Sequence, residues 1–286
     1  MTYEEARKEA EQILKGAEVP DAALDAWYLL EYAIQKIEKK ETGRTWYLMN
    51  RKESILPGTL SYYQELVYRR KQRIPLQHLT GEQEFYGYPF YVNEHVLIPR
   101  QDTEVLVEEA LKRKKEGMKV LDLCTGSGCI AISLAKLGGY TDVTALDLSE
   151  EALKVARSNG EKLLDQPVKF IKSDMFSALN PEKQYNVIVS NPPYIPSQVI
   201  EGLEPEVKDH EPRMALDGEP DGLKFYRILA EEGKKYLKNG GSIYMEIGWD
   251  QAKDVTEIFE AMGFSGLRTV RDMAGNDRVV CARKEK

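Results

Sequence analysis

Val120-Leu121-Asp122-Leu123-Cys124-Thr125-Gly126-Ser127-Gly128 is an apolar strand that runs into a glycine-bearing turn, and an apolar helix follows it from near Cys129. Strand, glycine turn and helix in that order let backbone approach a ligand closely. About 20 residues beyond the turn, Asp147 ends a second strand, where a carboxylate can bind both hydroxyls of a ribose. That spacing suits a cofactor containing adenosine. The glycines alone do not choose one, because Gly126-x-Gly128-x-x-Ala131 also satisfies the dinucleotide pattern with alanine in third place. Asp122 tips the reading toward S-adenosylmethionine: a carboxylate there repels a pyrophosphate and suits a cationic methionine moiety. Asp174-Met175, after the third strand, reads either as a border for the adenine or as a plain turn.

Outward from this turn, short apolar strands alternate with helices. Strands are expected at 119–123, 142–146, 168–171, 186–190 and 242–247, with a closing pair at 267–270 and 278–282. The order predicts a mostly parallel, doubly wound α/β sheet whose ligand lies beyond the carboxyl ends of the strands. The last two strands are joined by 271–277, too short for a parallel crossover, so they must pair antiparallel.

Upstream the pattern is helical to about Arg73. Ala6, Ala10, Ile13 and Leu14 form one apolar stripe and Leu24, Trp27, Leu30 and Ile34 another. A third helix surrounds Trp46, and a fourth runs from near Thr59 to Arg73 after a break at Pro57-Gly58. From Glu84 to Val92 the period becomes alternation, with Gly87 and Pro89 as turn formers, which reads as a β-hairpin. The expected organisation is a helical domain at 1–73, a hairpin linker at 74–98 and an α/β domain at 99–286.

The fourth strand runs straight into Asn191-Pro192-Pro193-Tyr194. Consecutive prolines lack N–H groups and have fixed φ, so the Asn191 and Pro192 carbonyls are held in place. An amide or aromatic amino nitrogen is a poor nucleophile because its lone pair is delocalised. The Asn191 side-chain oxygen and the Pro192 backbone oxygen can accept both of its N–H bonds and aim it at a methyl donor. Tyr194 can stack on the planar group. The scheme requires neither metal nor general base, and it leaves a protein amide and a nucleobase amine both open as acceptors.

These motifs resemble those of the HemK/PrmC family, the release-factor glutamine methyltransferases, over essentially the whole chain. The resemblance includes Pro75-Leu76-Gln77-His78-Leu79-Thr80-Gly81, Phe85-Tyr86-Gly87, Val96-Leu97-Ile98-Pro99-Arg100 with Thr103-Glu104, the glycine turn and the Asn-Pro-Pro-Tyr box. Glu211-Pro212-Arg213 with Ala215-Leu216 and Asp221-Gly222 resembles the segment after that box. It implies a Rossmann-like class I methyltransferase domain behind an N-terminal helical domain that docks the substrate protein. The implied reaction moves a methyl group from S-adenosylmethionine, leaving S-adenosylhomocysteine, to the glutamine amide of the Gly-Gly-Gln motif in peptide chain release factors. It also implies that Asp122, Leu123, Cys124, Thr125, Gly126, Asp147, Met175 and Asn191 contact the donor, and that Asn191 to Tyr194 hold the glutamine, with Asn191 and Pro192 catalytic. Three departures stand out: Cys124 where the family often has glycine, Pro99-Arg100-Gln101 for Pro-Arg-Pro, and Met175 for an aromatic.

Bulk properties narrow the alternatives. A net charge of -7 speaks against a groove for nucleic acid, so an adenine N6-methyltransferase, which shares the box, becomes the runner-up together with a ribosomal-protein glutamine methyltransferase. An NAD-linked oxidoreductase would leave Asn191 to Tyr194 without a role. A non-catalytic module on the translation machinery would leave both motifs idle. The runs 69–73 and 112–115 read as solvated basic helix ends. Three cysteines give neither an even disulfide set nor a zinc spacing, and the start of the chain carries no export signal, so a cytoplasmic protein with no membrane role is expected. A monomer is expected as well. His78, His95 and His210 read as structural or surface groups, while Arg100 and Glu104 are candidates for shaping the pocket, although a helix-start preference explains Glu104 as well.

Overall fold

The computed structural model describes residues 1–285, and they form two units. Residues 1–81 with 204–210 make the first, and residues 82–203 with those from 211 onward make the second.

The first unit is helical: α1 (Tyr3–Gly16), α2 (Ala22–Glu38), α3 (Arg44–Asn50), α4 (Pro57–Lys71) and the short α5 (Leu76–Thr80). Its first helix starts on a capping box, in which the Thr2 hydroxyl accepts from Glu5 N–H at 3.2 Å and the Glu5 carboxylate accepts from Thr2 N–H at 2.8 Å. Pro57 was expected as a break but is the first residue of α4, where its missing N–H has no helical partner to lose. The apolar stripes are narrower than the periodicity predicts: Ala6, Ala10, Leu14, Trp27, Leu30 and Ile34 are buried, whereas Ile13 and Leu24 are exposed. The basic run at 69–73 also departs from expectation. Arg70 is buried, donates to Asp25 at 2.6 Å and reaches Glu206 at 2.8 Å, and Arg73 pairs with Glu206 at 2.5 Å. Charge pairing thus draws two of these arginines inward, and the late segment 204–210 becomes part of the helical unit.

The residues expected as one linker are divided. Residues 74–81 complete the helical unit, with Leu79 in its core. The hairpin of β1 (Glu82–Phe85) and β2 (Tyr88–Tyr91) belongs to the second unit, where Phe85 and Phe90 are buried. Its turn is Tyr86-Gly87, with φ of 53° and 72°, the two-residue geometry whose twist matches the strands. Pro89 is not a turn residue; it sits in β2 opposite Glu84. Tyr86 holds its left-handed conformation because its N–H donates to Glu104 Oε1 and its hydroxyl to Glu104 O, each at 2.8 Å.

After a 3-10 turn at Gln101–Thr103 and α6 (Glu104–Leu111), the second unit runs β3 (Lys119–Leu123), α7 (Cys129–Gly138), β4 (Asp142–Asp147), α8 (Glu150–Leu163), β5 (Lys169–Lys172) and β6 (Tyr185–Ser190). The short helices Ser197–Ile200 and Arg213–Leu216, the helix Lys224–Tyr236, β7 (Leu237–Glu246), the helix Ala252–Ala261, β8 (Ser265–Arg271) and β9 (Asp277–Arg283) follow. The sheet order is β5-β4-β3-β6-β7-β9-β8. Strands β3 to β7 are parallel, and β9 slots antiparallel between β7 and β8, as the short 271–277 connection requires. The order reverses between β3 and β4 on one side and β6 on the other, so the carboxyl ends of these strands open on the switch point where α/β folds bind ligands.

Candidate active site

A cavity of about 290 Å³ lies at that switch point. One end is the turn after β3. Cys124, Gly126 and Gly128 all have positive φ, at 61°, 54° and 82°. A side chain at Gly128 would meet Ile132 Cδ1 at 3.0 Å and Ala156 Cβ at 3.1 Å, so glycine there serves close helix packing. Gly126 has no atom within 4 Å of the position a Cβ would take, which leaves that face of the turn open. Cys124 holds the left-handed conformation that glycine favours.

Asp147 ends β4 at the cavity wall. Its Oδ2 accepts from Gly126 N–H at 2.8 Å and its Oδ1 from Ser149 N–H at 2.9 Å, which locks the carboxylate to the turn. Burial pushes its pKa up, and the backbone donors from Ser149, Gly126 and Leu148 oppose the rise. Asp174 and Met175 line the same wall, and the Ser173 hydroxyl donates to the Met175 carbonyl at 2.7 Å.

Asp122 is placed differently from its neighbours. It is fully buried and does not line the cavity; the Thr125 hydroxyl donates to its Oδ2 at 2.6 Å and its Oδ1 has no hydrogen-bond partner. Burial raises its pKa to about 7 against the Thr125 hydrogen bond. The carboxyl lies under the turn, so its charge reaches the cavity through Thr125 and the loop.

The other end is the chain after β6. Asn191 and Pro193 line the cavity, while Pro192 is buried and Tyr194 is half-buried behind them. Burial also pushes the Tyr194 phenol well above its usual range. Asn191 Nδ2 lies 3.5 Å from Thr103 Oγ1. The Tyr194 carbonyl accepts from Gln251 Nε2 at 3.0 Å, and the same amide reaches the Gly222 carbonyl at 3.3 Å. Gly218 and Gly222 fit because a Cβ on either would strike Tyr194 backbone, at 2.8 Å and 2.4 Å. Ile195 N–H donates to Leu216 O and Gly218 N–H to Ile195 O, closing the segment 212–222 over the box.

Arg100 lines the cavity and holds buried Glu211 with both carboxylate oxygens, at 2.7 and 2.9 Å. Glu104 instead braces the hairpin turn. Of the histidines, His95 lines the cavity, and His210 Nε2 lies 3.2 Å from Gln72 O in the helical unit. Asn159 of α8, which sequence reading passed over, is fully buried and donates to Tyr91 O and Ser127 O, joining hairpin and glycine turn. Gln251 was missed because it reaches the Asn191 box from far along the chain and no local pattern marks it, and Thr103, quoted above only within the family resemblance, was given no role there. Among the described residues, no three His, Cys, Asp or Glu side chains are grouped to hold a metal ion, and no helix is long and apolar enough to cross a membrane.

Residues 5–81 match the PrmC N-terminal domain family and residues 101–202 the Methyltransferase small domain family. The chain is 42% identical to the release factor glutamine methyltransferase of Fusobacterium nucleatum over 96% of its length and 76% of that protein. It is 41% identical to that of Geobacter sulfurreducens over 93% of its length and 90% of that protein. A methyltransferase structure from Pyrococcus furiosus shares the fold, with a TM-score of 0.54 at 20% identity, covering 79% of this chain and all of that one.

Proposed function

Because the chain belongs to the release factor glutamine methyltransferase family, we propose that it methylates the side-chain amide nitrogen of the glutamine in the Gly-Gly-Gln motif of peptide chain release factors. The observation that carries this reading is the Asn191 side chain at the wall of a cavity whose other end is the glycine turn. The residues present fit S-adenosylmethionine: an open backbone at Gly126, a carboxylate at Asp147 and a buried carboxyl at Asp122 with an unpartnered oxygen. In this reading Asp147 takes the ribose hydroxyls, Leu123 to Gly126 with Asp122 beneath them take the methionine moiety, and Met175 borders the adenine. When bound, S-adenosylmethionine supplies an electrophilic methyl group on sulfur and leaves as S-adenosylhomocysteine.

The acceptor side falls to the box. Asn191 Oδ1 and the Pro192 carbonyl accept the two amide N–H bonds, which fixes the NH2 group and presents its lone pair to the methyl. Pro193 shapes the wall beneath it, and Tyr194 supplies the aromatic face for the planar amide. The methylated nitrogen loses its proton to water, so no metal is called on. The helical unit, residues 1–73 with the segments that complete it, docks the release factor. The enzyme works as a monomer in the cytoplasm, where termination takes place.

The test is incubation with methyl-labelled S-adenosylmethionine and purified release factor, followed by mapping of the modified peptide. Label on the Gly-Gly-Gln glutamine is expected. Label only on a ribosomal protein or on adenine in nucleic acid would replace this acceptor with one of the other two.

A further inference from the structure

The Glu246 carboxyl has no part in the chemistry above, yet it ends β7 beside the Asn191 box. Ser190 pairs with Met245 in the parallel register, so Asn191, the first residue past β6, follows level with Glu246, the last residue of β7. Glu246 is 2% exposed and its Oε2 has no hydrogen-bond partner. Asn191 and Thr103 line the cavity and Glu246 does not. Asn191 Nδ2 lies 3.5 Å from Thr103 Oγ1, and both side chains pull the Glu246 pKa down against burial. A buried carboxylate with spare acceptor capacity therefore stands behind the two polar side chains of the acceptor wall.

We infer that Glu246 is a positioning residue: its carboxylate accepts from the Thr103 hydroxyl and the Asn191 NH2 group and so turns the Asn191 oxygen toward the cavity. The inference rests on reading Asn191 as the holder of the acceptor amide. An Asn side chain presents an oxygen on one side and two N–H donors on the other. With the donors drawn back to Glu246, the oxygen faces the substrate N–H. The reversed amide would set donor against donor and leave both unsatisfied in a dry site.

Protonation removes this bias, because a neutral carboxyl carries a donor of its own that can bond the Asn191 oxygen and favour the reversed amide. Arg278 on β9 favours the carboxylate, and Asp102 before α6 opposes it. The remaining titratable groups facing it are Tyr194, Tyr226 on the helix Lys224–Tyr236, and Cys129 on α7, all uncharged at neutral pH. Burial lifts the Glu246 pKa to about 7, with the Thr103 hydroxyl, the Arg278 charge and the Asn191 amide pulling it back. Turnover should accordingly decline as the medium is acidified through neutrality.

The experiment measures kcat at saturating donor and release factor from about pH 5.5 to 9 for wild type, Glu246→Gln and Glu246→Asp, with donor affinity by calorimetry. Asp122 also ionises near neutrality, but it lies under the glycine turn, and its titration would enter donor affinity rather than kcat at saturation. Wild-type kcat is expected to lose activity on one ionisation near pH 7. Glu246→Gln should lower kcat by about tenfold or more, erase that acid limb and keep donor affinity. Glu246→Asp should restore part of the rate and the limb. A Glu246→Gln enzyme with wild-type kcat and an unchanged limb overturns the inference. Should that variant not fold, a wild-type kcat flat across this range overturns it alone. Full turnover by Asn191→Ala would instead sink the reading of the box on which the inference rests.

Discussion

The two ends of the cavity are built on opposite plans. The glycine-turn end is local: Cys124, Gly126 and Gly128 follow one strand, and Asp147, ending the neighbouring strand, is tied to the Gly126 N–H. The Asn191 end is a short loop held by distant braces: Thr103 lies 88 residues from Asn191, Gln251 lies 57 from Tyr194, and Arg100 reaches Glu211 across 111. A site made by strand ends is rigid as soon as the sheet forms. A site braced by loops can be loosened from far away without touching the first.

This separation predicts that each end fails alone. The largest effect belongs to Asn191→Ala, which removes a group proposed to orient the reacting nitrogen. Turnover should fall on the order of 100- to 1000-fold, the cost seen when one preorganised polar contact is removed from a reaction centre. Donor affinity by calorimetry should stay within a few fold. Near wild-type turnover would refute the role of the box.

Asp147→Ala should do the reverse. Losing hydrogen bonds to a charged group weakens donor binding by about 1.5–3 kcal/mol, while kcat at saturating donor stays close to wild type. The carboxylate also holds the turn through Gly126 and Ser149, so Asp147→Asn, which keeps one acceptor oxygen, should fall between the two. Unchanged donor affinity in both variants would remove the ribose role.

The same contrast explains what could be read from the sequence. The strands, the sheet and the residues of both motifs were legible, because strand ends, glycines at positive φ and paired prolines leave local marks. Asp122 was read as facing the ligand, but a residue inside a central strand points into the packed interior, and Thr125 covers it. Arg70 and Arg73 were read as solvated because Glu206, their partner, lies more than 130 residues away. Pro57 was read as a break and Pro89 as a turn former, although one starts a helix and the other lies within a two-stranded pair. Non-local partners decided the two arginines and the role of Asn159, and a single chain carries no sign of them, whereas Asp122 and the two prolines turned on strand facing, helix start and strand pairing within a few residues.

Gln251→Ala probes the braces directly. It strips hydrogen bonds from the Tyr194 and Gly222 carbonyls and from Gly248 N–H. Unsatisfied buried backbone groups of this kind cost about 1–3 kcal/mol in stability, readable by denaturant titration. At the glycine turn nothing should change, so donor affinity should hold while kcat drops by about tenfold through misplacement of the box. Equal losses at both ends would show that the cavity behaves as one element and that the contrast is false.

Cys124→Gly is the smallest and sharpest test, because it asks whether the turn depends on its residue or on the fold. Cys124 sits at φ 61°, which costs a side-chain-bearing residue about 1–2 kcal/mol relative to its ordinary range. Glycine removes that strain but gives back roughly 0.5–1 kcal/mol of unfolded-chain entropy. It also deletes the contact of Cys124 Sγ with Met175 Sδ at 3.9 Å. These terms nearly cancel, so stability should change by less than about 1 kcal/mol and donor affinity by no more than about twofold. Gly126→Ala makes the opposite change in the same turn, adding a Cβ at φ 54° where no atom lies within 4 Å. The same two terms with reversed sign should leave it destabilised by no more than about 1 kcal/mol. A large loss of donor affinity in Cys124→Gly would mean that the thiol, rather than the backbone conformation imposed by β3 and α7, shapes this end of the cavity.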